Sequence, residues 1–242
     1  MNKKTNDIHT LPPPWELRGN GFVVFYRFPK EFLNTYSLVP NVLRSLFCGG
    51  IGAMMLFDYY QTPVGPYSEI LFIPGQFAYE NKKYHSITRR LATSRESAAA
   101  GYAQWGIPEE KGTVHFIYLD NRYTRIRLAV NDKKTADGAA HTEITFKTNG
   151  IPLFMPSWCM PNRLLHCDGK HLYRSRIKIK TRARLCRIKN NIVQHPSFPD
   201  TTTLRPLAVL HIPEMHCMLS AADKQVYHIP PDNIADKVDS EV

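Results

Sequence analysis

The chain has 242 residues, of which 43% are hydrophobic and 21% charged, and its formal net charge is +10. That apolar fraction supports a packed core and excludes disorder over most of the length. The 18 prolines and 13 glycines argue against a helical bundle or coiled coil.

In chain order, residues 1–14 are polar and proline-rich and are expected to form an extended N-terminal arm. Asn20-Gly21 is a turn signal ahead of Phe22-Val23-Val24-Phe25-Tyr26, which reads as a buried strand. Pro29 to Leu33 opens a short helix, with proline in the first turn. Residues 50–60 and 69–78 read as strands separated by the turn chemistry of Thr62-Pro63-Val64-Gly65-Pro66, and 85–93 reads as another. The clearest helix follows. Thr93 and Glu96 have capping-box spacing, helix formers run to Trp105, and Gly106 and Pro108 mark the stop. Val114–Tyr118 and Thr124–Val130 form a hairpin pattern, and further strand signals lie at 142–148, 171–182, 207–211 and 215–219. The expected organisation is one β-rich α+β domain over 15–229, followed by a loose acidic tail over 230–242.

No membrane or secretory segment is expected. The longest uncharged apolar run, Leu46 to Phe57, has 12 residues, and a bilayer-spanning helix needs roughly 20. Polar residues follow Met1-Asn2-Lys3-Lys4 where a signal peptide would be apolar, so the expected location is cytoplasmic. The five cysteines are scattered, with no C-x-x-C, and imply neither a disulfide framework nor a zinc ribbon. His211, His216, Cys217, His166, Cys167 and Cys159 match no standard ligand spacing, so no metal is expected, and no fingerprint for a cofactor is present.

The charge is concentrated in one element. Between Arg163 and Lys189 stand ten Lys/Arg and one acid, Asp168, and the rest of the chain is close to balance. Arg174, Arg176, Lys178, Lys180, Arg182 and Arg184 alternate with Ser175, Ile177, Ile179, Thr181, Ala183 and Leu185. Such alternation places the cations on one face of a strand. That face is either a groove for phosphates or another anion or a solvated outer surface that discourages edge pairing. No aromatic platform is interleaved with the cations, which speaks against a single-stranded nucleic-acid binder.

Three stretches carry a family likeness: Phe25-Tyr26-Arg27 in the first strand, Gly65-Pro66-Tyr67-Ser68-Glu69 entering a core strand, and Ala98 to Glu110, with Trp105-Gly106-Ile107-Pro108. Together with the order of elements and Pro206-Leu207-Ala208-Val209-Leu210, they resemble the acetoacetate decarboxylase superfamily over the whole chain. The resemblance implies a cone-like β-barrel built of antiparallel sheets and a few short helices. It also implies a mostly apolar cavity for a small organic acid or ketone, a homo-oligomer, and no cofactor.

The resemblance further implies a lysine directly after the proline of the last motif, forming a Schiff base with the substrate ketone, and a neighbouring lysine that lowers its pKa, as is known for the family. Here the two positions after Pro108 are Glu109 and Glu110, and Lys111 comes one residue later. A carboxylate forms no iminium. Arg27 matches the family's active-site arginine and Glu69 its cavity carboxylate, so the implied catalytic set is Glu109, Glu69 and Arg27, with Arg27, Tyr67 and Glu110 contacting substrate. A buried or like-charged carboxylate is suited to general acid–base work, and Arg27 would clamp a substrate carboxylate. The expected activity is lyase, isomerase or cyclase chemistry on a keto acid or related oxygenated acid rather than imine decarboxylation. The alternatives are a non-catalytic binding barrel, an anion or nucleic-acid binder using the strand over 174–184, and imine chemistry rescued by Lys82, Lys83 or Lys111. Taken singly, Glu109 also fits a solvated loop, Arg27 a structural bridge to Glu69, and Tyr67 the core.

Overall fold

Apolar residues on consecutive positions, rather than on alternate ones, mark strands covered on both faces. Three such strands lie side by side: β1 (Trp15–Tyr26), β3 (Gly52–Gln61) and β4 (Tyr67–Ile73). In the computed structural model, which describes residues 11–108, 110–130, 142–155, 160–193 and 199–227, Phe22 pairs with Leu56 and Leu56 with Ile70. All three side chains point into one core cluster with Val24, Met54 and Phe72. The intervening Val23, Met55, Phe57, Leu71 and Ile73 point to the opposite face and belong to a second cluster. Each such burial is worth about 1.5–3 kcal/mol, so the two faces together lock the register of the centre.

Around this centre the sheet grows on both sides. On one side lie β7 (Arg89–Ala92), β8 (Glu110–Tyr118), β9 (Tyr123–Val130) and β10 (Thr142–Thr148). On the other lie β14 (Ala208–Leu219), β13 (His171–Val193), β12 (Arg163–Cys167), β6 (Lys82–His85), β5 (Gln76–Tyr79) and β2 (Phe47–Gly49), with β11 (Leu153–Phe154) and β15 (Asp223–Val226) joined to β13. The result among the described residues is one 15-stranded sheet whose path runs from β10 to β2. The far end of β13 also pairs with β10, which curls the sheet back on itself. The sheet path itself stays open, and that pairing alone does not establish the expected cone-like barrel. Two helices cover the sheet: α1 (Lys30–Thr35), which buries Phe32 and Leu33 in the cluster of Phe22, and α2 (Arg95–Trp105), which buries Ala100 and Trp105 in the other.

Several expected boundaries move. Asn20-Gly21 is not a turn; both residues lie within β1, at an irregularity in its pairing with β14. Gly21 serves close approach there, since a Cβ on it would sit 2.2 Å from the Leu56 carbonyl oxygen. The strand expected over 69–78 divides into β4 and β5, and 207–211 with 215–219 fuse into β14. The helix is capped by Ser94 rather than Thr93, with the Ser94 hydroxyl accepting from the Ser97 amide at 3.0 Å. It ends at Gly106, at φ 65°, as the sequence predicts. The tail over 230–242 and most of the arm over 1–14 fall outside the described residues.

Candidate active site

The cluster that contains Met55 and Phe57 encloses a cavity of about 90 Å³. One water needs about 10–15 Å³ on the same measure, so the space suits a small organic molecule. Its walls are Leu17 of β1, Met55 and Phe57 of β3, Leu71 of β4, Trp105 of α2, Ile177 and Ile179 of β13, and Cys217 of β14. Ile177 and Ile179 are the inward residues of the basic alternation. Outward, Arg176, Lys178, Lys180 and Arg182 are exposed, while Arg174 is half-buried in ion pairs with Glu80 and Asp223. The alternation slips at a register shift between Arg182 and Arg184, and Leu185 rather than Arg184 is then exposed.

Polar groups are confined to one corner of this cavity. Glu69 stands on β4 opposite Ala92 of β7, and Arg90 stands diagonally across. The Arg90 Nε lies 2.8 Å from Glu69 Oε2, and Tyr59 donates its hydroxyl to Glu69 Oε1 at 2.9 Å. The other two nitrogens of Arg90 donate to Ser97, Nη1 to the carbonyl at 3.1 Å and Nη2 to the hydroxyl at 2.6 Å. Ser97 and Gly101 are four residues apart and share one face of α2. A Cβ on Gly101 would sit 2.5 Å from Arg90 Nη1, so the missing side chain is what admits the guanidinium. Glu69 and Arg90 are 4% and 5% exposed.

The electrostatics follow from burial. Desolvation opposes the charge on Arg90, but the Glu69 carboxylate and the tyrosine oxygens outweigh it and push its pKa up. Burial, followed by the charge of Glu69, raises the hydroxyls of Tyr59 and Tyr67 well above the ordinary tyrosine value. Both are therefore neutral donors. Cys217 is pushed up to about 12 by burial and Glu69 and stays a thiol.

The expected site residues separate. Glu69 and Tyr67 line the cavity. Arg27 does not: it follows the last residue of β1 and is exposed, and Arg90 supplies the cavity's guanidinium instead. Glu110 does not line it either, because Arg89 Nε holds both its carboxylate oxygens at 3.0 Å. Glu109 lies outside the described residues, as does the side chain of Lys111. Lys82 and Lys83 are exposed on β6, and the described lining contains no lysine. Sequence reasoning missed Arg90, Tyr59 and Ser97. The available signal was Arg89-Arg90 inside an otherwise apolar strand. Alternation must send one of the two arginines inward, and an inward cation needs an inward acid.

Cys159 lies outside the described residues, and the other described His and Cys residues do not converge. His166 Nε2 accepts the Ile87 amide at 3.0 Å, and the His211 ring stacks on Phe22. Among the described residues no group of three His, Cys, Asp or Glu could hold a metal ion, and no helix is long and apolar enough to cross a membrane.

No family model and no curated protein matches the sequence. Solved structures do match in shape. Acetoacetate decarboxylase from Legionella pneumophila is 12% identical with a TM-score of 0.68, covering 89% of each chain. The enduracididine biosynthesis enzyme MppR complexed with pyruvate is 15% identical with a TM-score of 0.58, over 92% of this chain and 94% of that one. An acetoacetate decarboxylase-like enzyme from Sphingomonas wittichii is 10% identical with a TM-score of 0.62, over 88% and 93%. The likeness in shape and the apolar cavity agree with the motifs around Tyr67 and Trp105: the chain has the acetoacetate decarboxylase-like fold.

Proposed function

We propose that the protein is a small-molecule enzyme acting on a keto acid or related oxygenated acid by proton transfer at the Tyr59–Glu69–Arg90 corner, without a Schiff base. The observation that carries this reading is a carboxylate, a guanidinium and a neutral tyrosine hydroxyl meeting at one end of an apolar cavity. The low dielectric strengthens each of these interactions. A substrate carbonyl placed there would take a hydrogen bond from Tyr67 or Arg90 as an enolate forms, and Glu69 would receive the proton from the adjacent carbon, passing it on through Tyr59. The likeness to a pyruvate-complexed enzyme of the same fold supports a keto acid as the first substrate class to test.

Exchange of substrate protons with D2O, followed by NMR on pyruvate and acetoacetate, tests the reading. The parent protein should catalyse exchange, and Tyr59→Phe, which leaves the ion pair intact, should slow it by about 10²-fold or more. Borohydride should trap no adduct, whereas an adduct on Lys111, Lys82 or Lys83 would replace the proposal with imine chemistry.

A second reading has its own support. Both oxygens of Glu69 and all three nitrogens of Arg90 already have partners within the protein, as expected of a structural clamp in a non-catalytic binding protein. Saturable keto-acid binding without proton exchange would favour it.

A further inference from the structure

A second recess, separate from the cavity above, has a volume of about 390 Å³ and is lined by Lys82, Arg163, Arg174, Ser175, Arg176 and Asp223 among others. Its charges do not balance. Arg174 is held by Glu80 and Asp223, but Lys82, Arg163 and Arg176 pair with no acid among the described residues. Arg163 and Arg176 are moreover direct partners across the β12–β13 ladder. Like charges at directly opposed positions destabilise a sheet, and no acid among the described residues pairs with either arginine.

We infer that this recess binds a phosphate-bearing small molecule, with Arg163 and Arg176 gripping the anion from two strands and Lys82 completing its shell. Three exposed cations converging on one recess favour a ligand with more than one negative charge. A phosphate monoester carries about 1.5–2 at neutral pH and offers three acceptor oxygens, and a carboxylate offers only one charge. Planar guanidinium groups suit bidentate contact with such oxygens. Arg174 is set apart as a support, its charge already met by two acids. The recess, rather than the whole outer face, is the site: Lys178, Lys180 and Arg182 continue the same strand but do not line it. This inference does not depend on the reading of the apolar cavity.

Calorimetric titration of the full chain with inorganic pyrophosphate, and separately with acetate, at low ionic strength tests it. Pyrophosphate should bind saturably at one site and acetate should not. Arg163→Gln and Arg176→Gln should each weaken binding by about tenfold, and the control Lys178→Gln/Lys180→Gln should bind like the parent. Because the arginine variants relieve a like-charge pair, thermal melting without ligand should show them at least as stable as the parent. Failure of pyrophosphate to bind would overturn the inference, as would equal weakening in the Lys178/Lys180 control. A single-stranded oligonucleotide that bound more tightly than pyrophosphate and depended on Lys178 and Lys180 would also overturn it, in favour of an open nucleic-acid face.

Discussion

Arg90 and Glu69 occupy diagonal positions on β7 and β4, their ion pair 2.8 Å long and almost wholly removed from solvent. Two ions taken out of water are costly, and a pair of this kind is sustained only when further hydrogen bonds support both ions. Ser97 and Tyr59 meet that requirement. The pair therefore ties helix α2 to the sheet as well as furnishing the cavity's polar end.

Removing one member should cost more than removing both. Glu69→Gln leaves a buried guanidinium without its counter-ion and should destabilise the protein by about 3–5 kcal/mol. Glu69→Gln combined with Arg90→Met should recover most of that loss. Urea unfolding at neutral pH checks both, and a double variant as unstable as the single one would show that the pair is not the source of the cost.

Gly101→Ala would normally favour a helix, by up to about 1 kcal/mol. Here the added methyl meets Arg90 Nη1 at 2.5 Å, and three hydrogen bonds hold that side chain in place. The expected outcome is a net loss of about 1–2 kcal/mol in the parent and a gain in the Arg90→Gln background. Thermal melts of the four proteins give the coupling, and the same sign in both backgrounds would refute the clash.

Burial pushes His166 down to about 3 and His211 down to about 4. Unfolded histidines titrate near 6.5, so below that pH the unfolded chain binds protons that the native protein does not. Stability is then complete above pH 6.5 and falls as the pH drops toward 4, with a slope of about 1.4 kcal/mol per pH unit from His166. Replacing His166 with Gln, whose amide can still accept the Ile87 amide, should flatten the dependence between pH 6.5 and 4 in denaturant titrations.

Burial also raises Cys186 and Cys217 to about 12, while Cys48 is exposed. Since the thiolate is the reactive form, maleimide at pH 8 should label Cys48 in the folded protein and reach Cys186 and Cys217 only on unfolding. Timed alkylation with peptide mapping follows this order. Ligand in the cavity beside Cys217 should delay its labelling further.

Much of the fold was legible because its signals are local. The paired apolar faces of Phe22–Tyr26 required a strand covered on both sides, the Gly106 stop required a helix end, and the alternation over Arg174–Arg182 required a strand with one wet face. The family likeness in Gly65–Glu69 and Trp105–Pro108 located the cavity carboxylate Glu69. Placement of the cavity's arginine was not legible in the same way. Arg27 follows the apolar end of β1 and Arg90 precedes the apolar Leu91-Ala92 of β7, and choosing between them needs the pairing of β4 with β7 and the gap at Gly101, neither of which is a property of neighbouring residues.

Residue type and short-range period alone establish the β-rich architecture, the concentration of positive charge in one strand and the absence of lysine directly after Pro108. Long-range packing sets the meeting of Glu69 with Arg90 and Tyr59, the turn of Glu110 to Arg89, and the facing of Arg163 and Arg176 across a ladder. Each of those contacts joins residues at least ten positions apart. Register and helix packing bring them together, and a register slip of one residue would send every side chain to the opposite face.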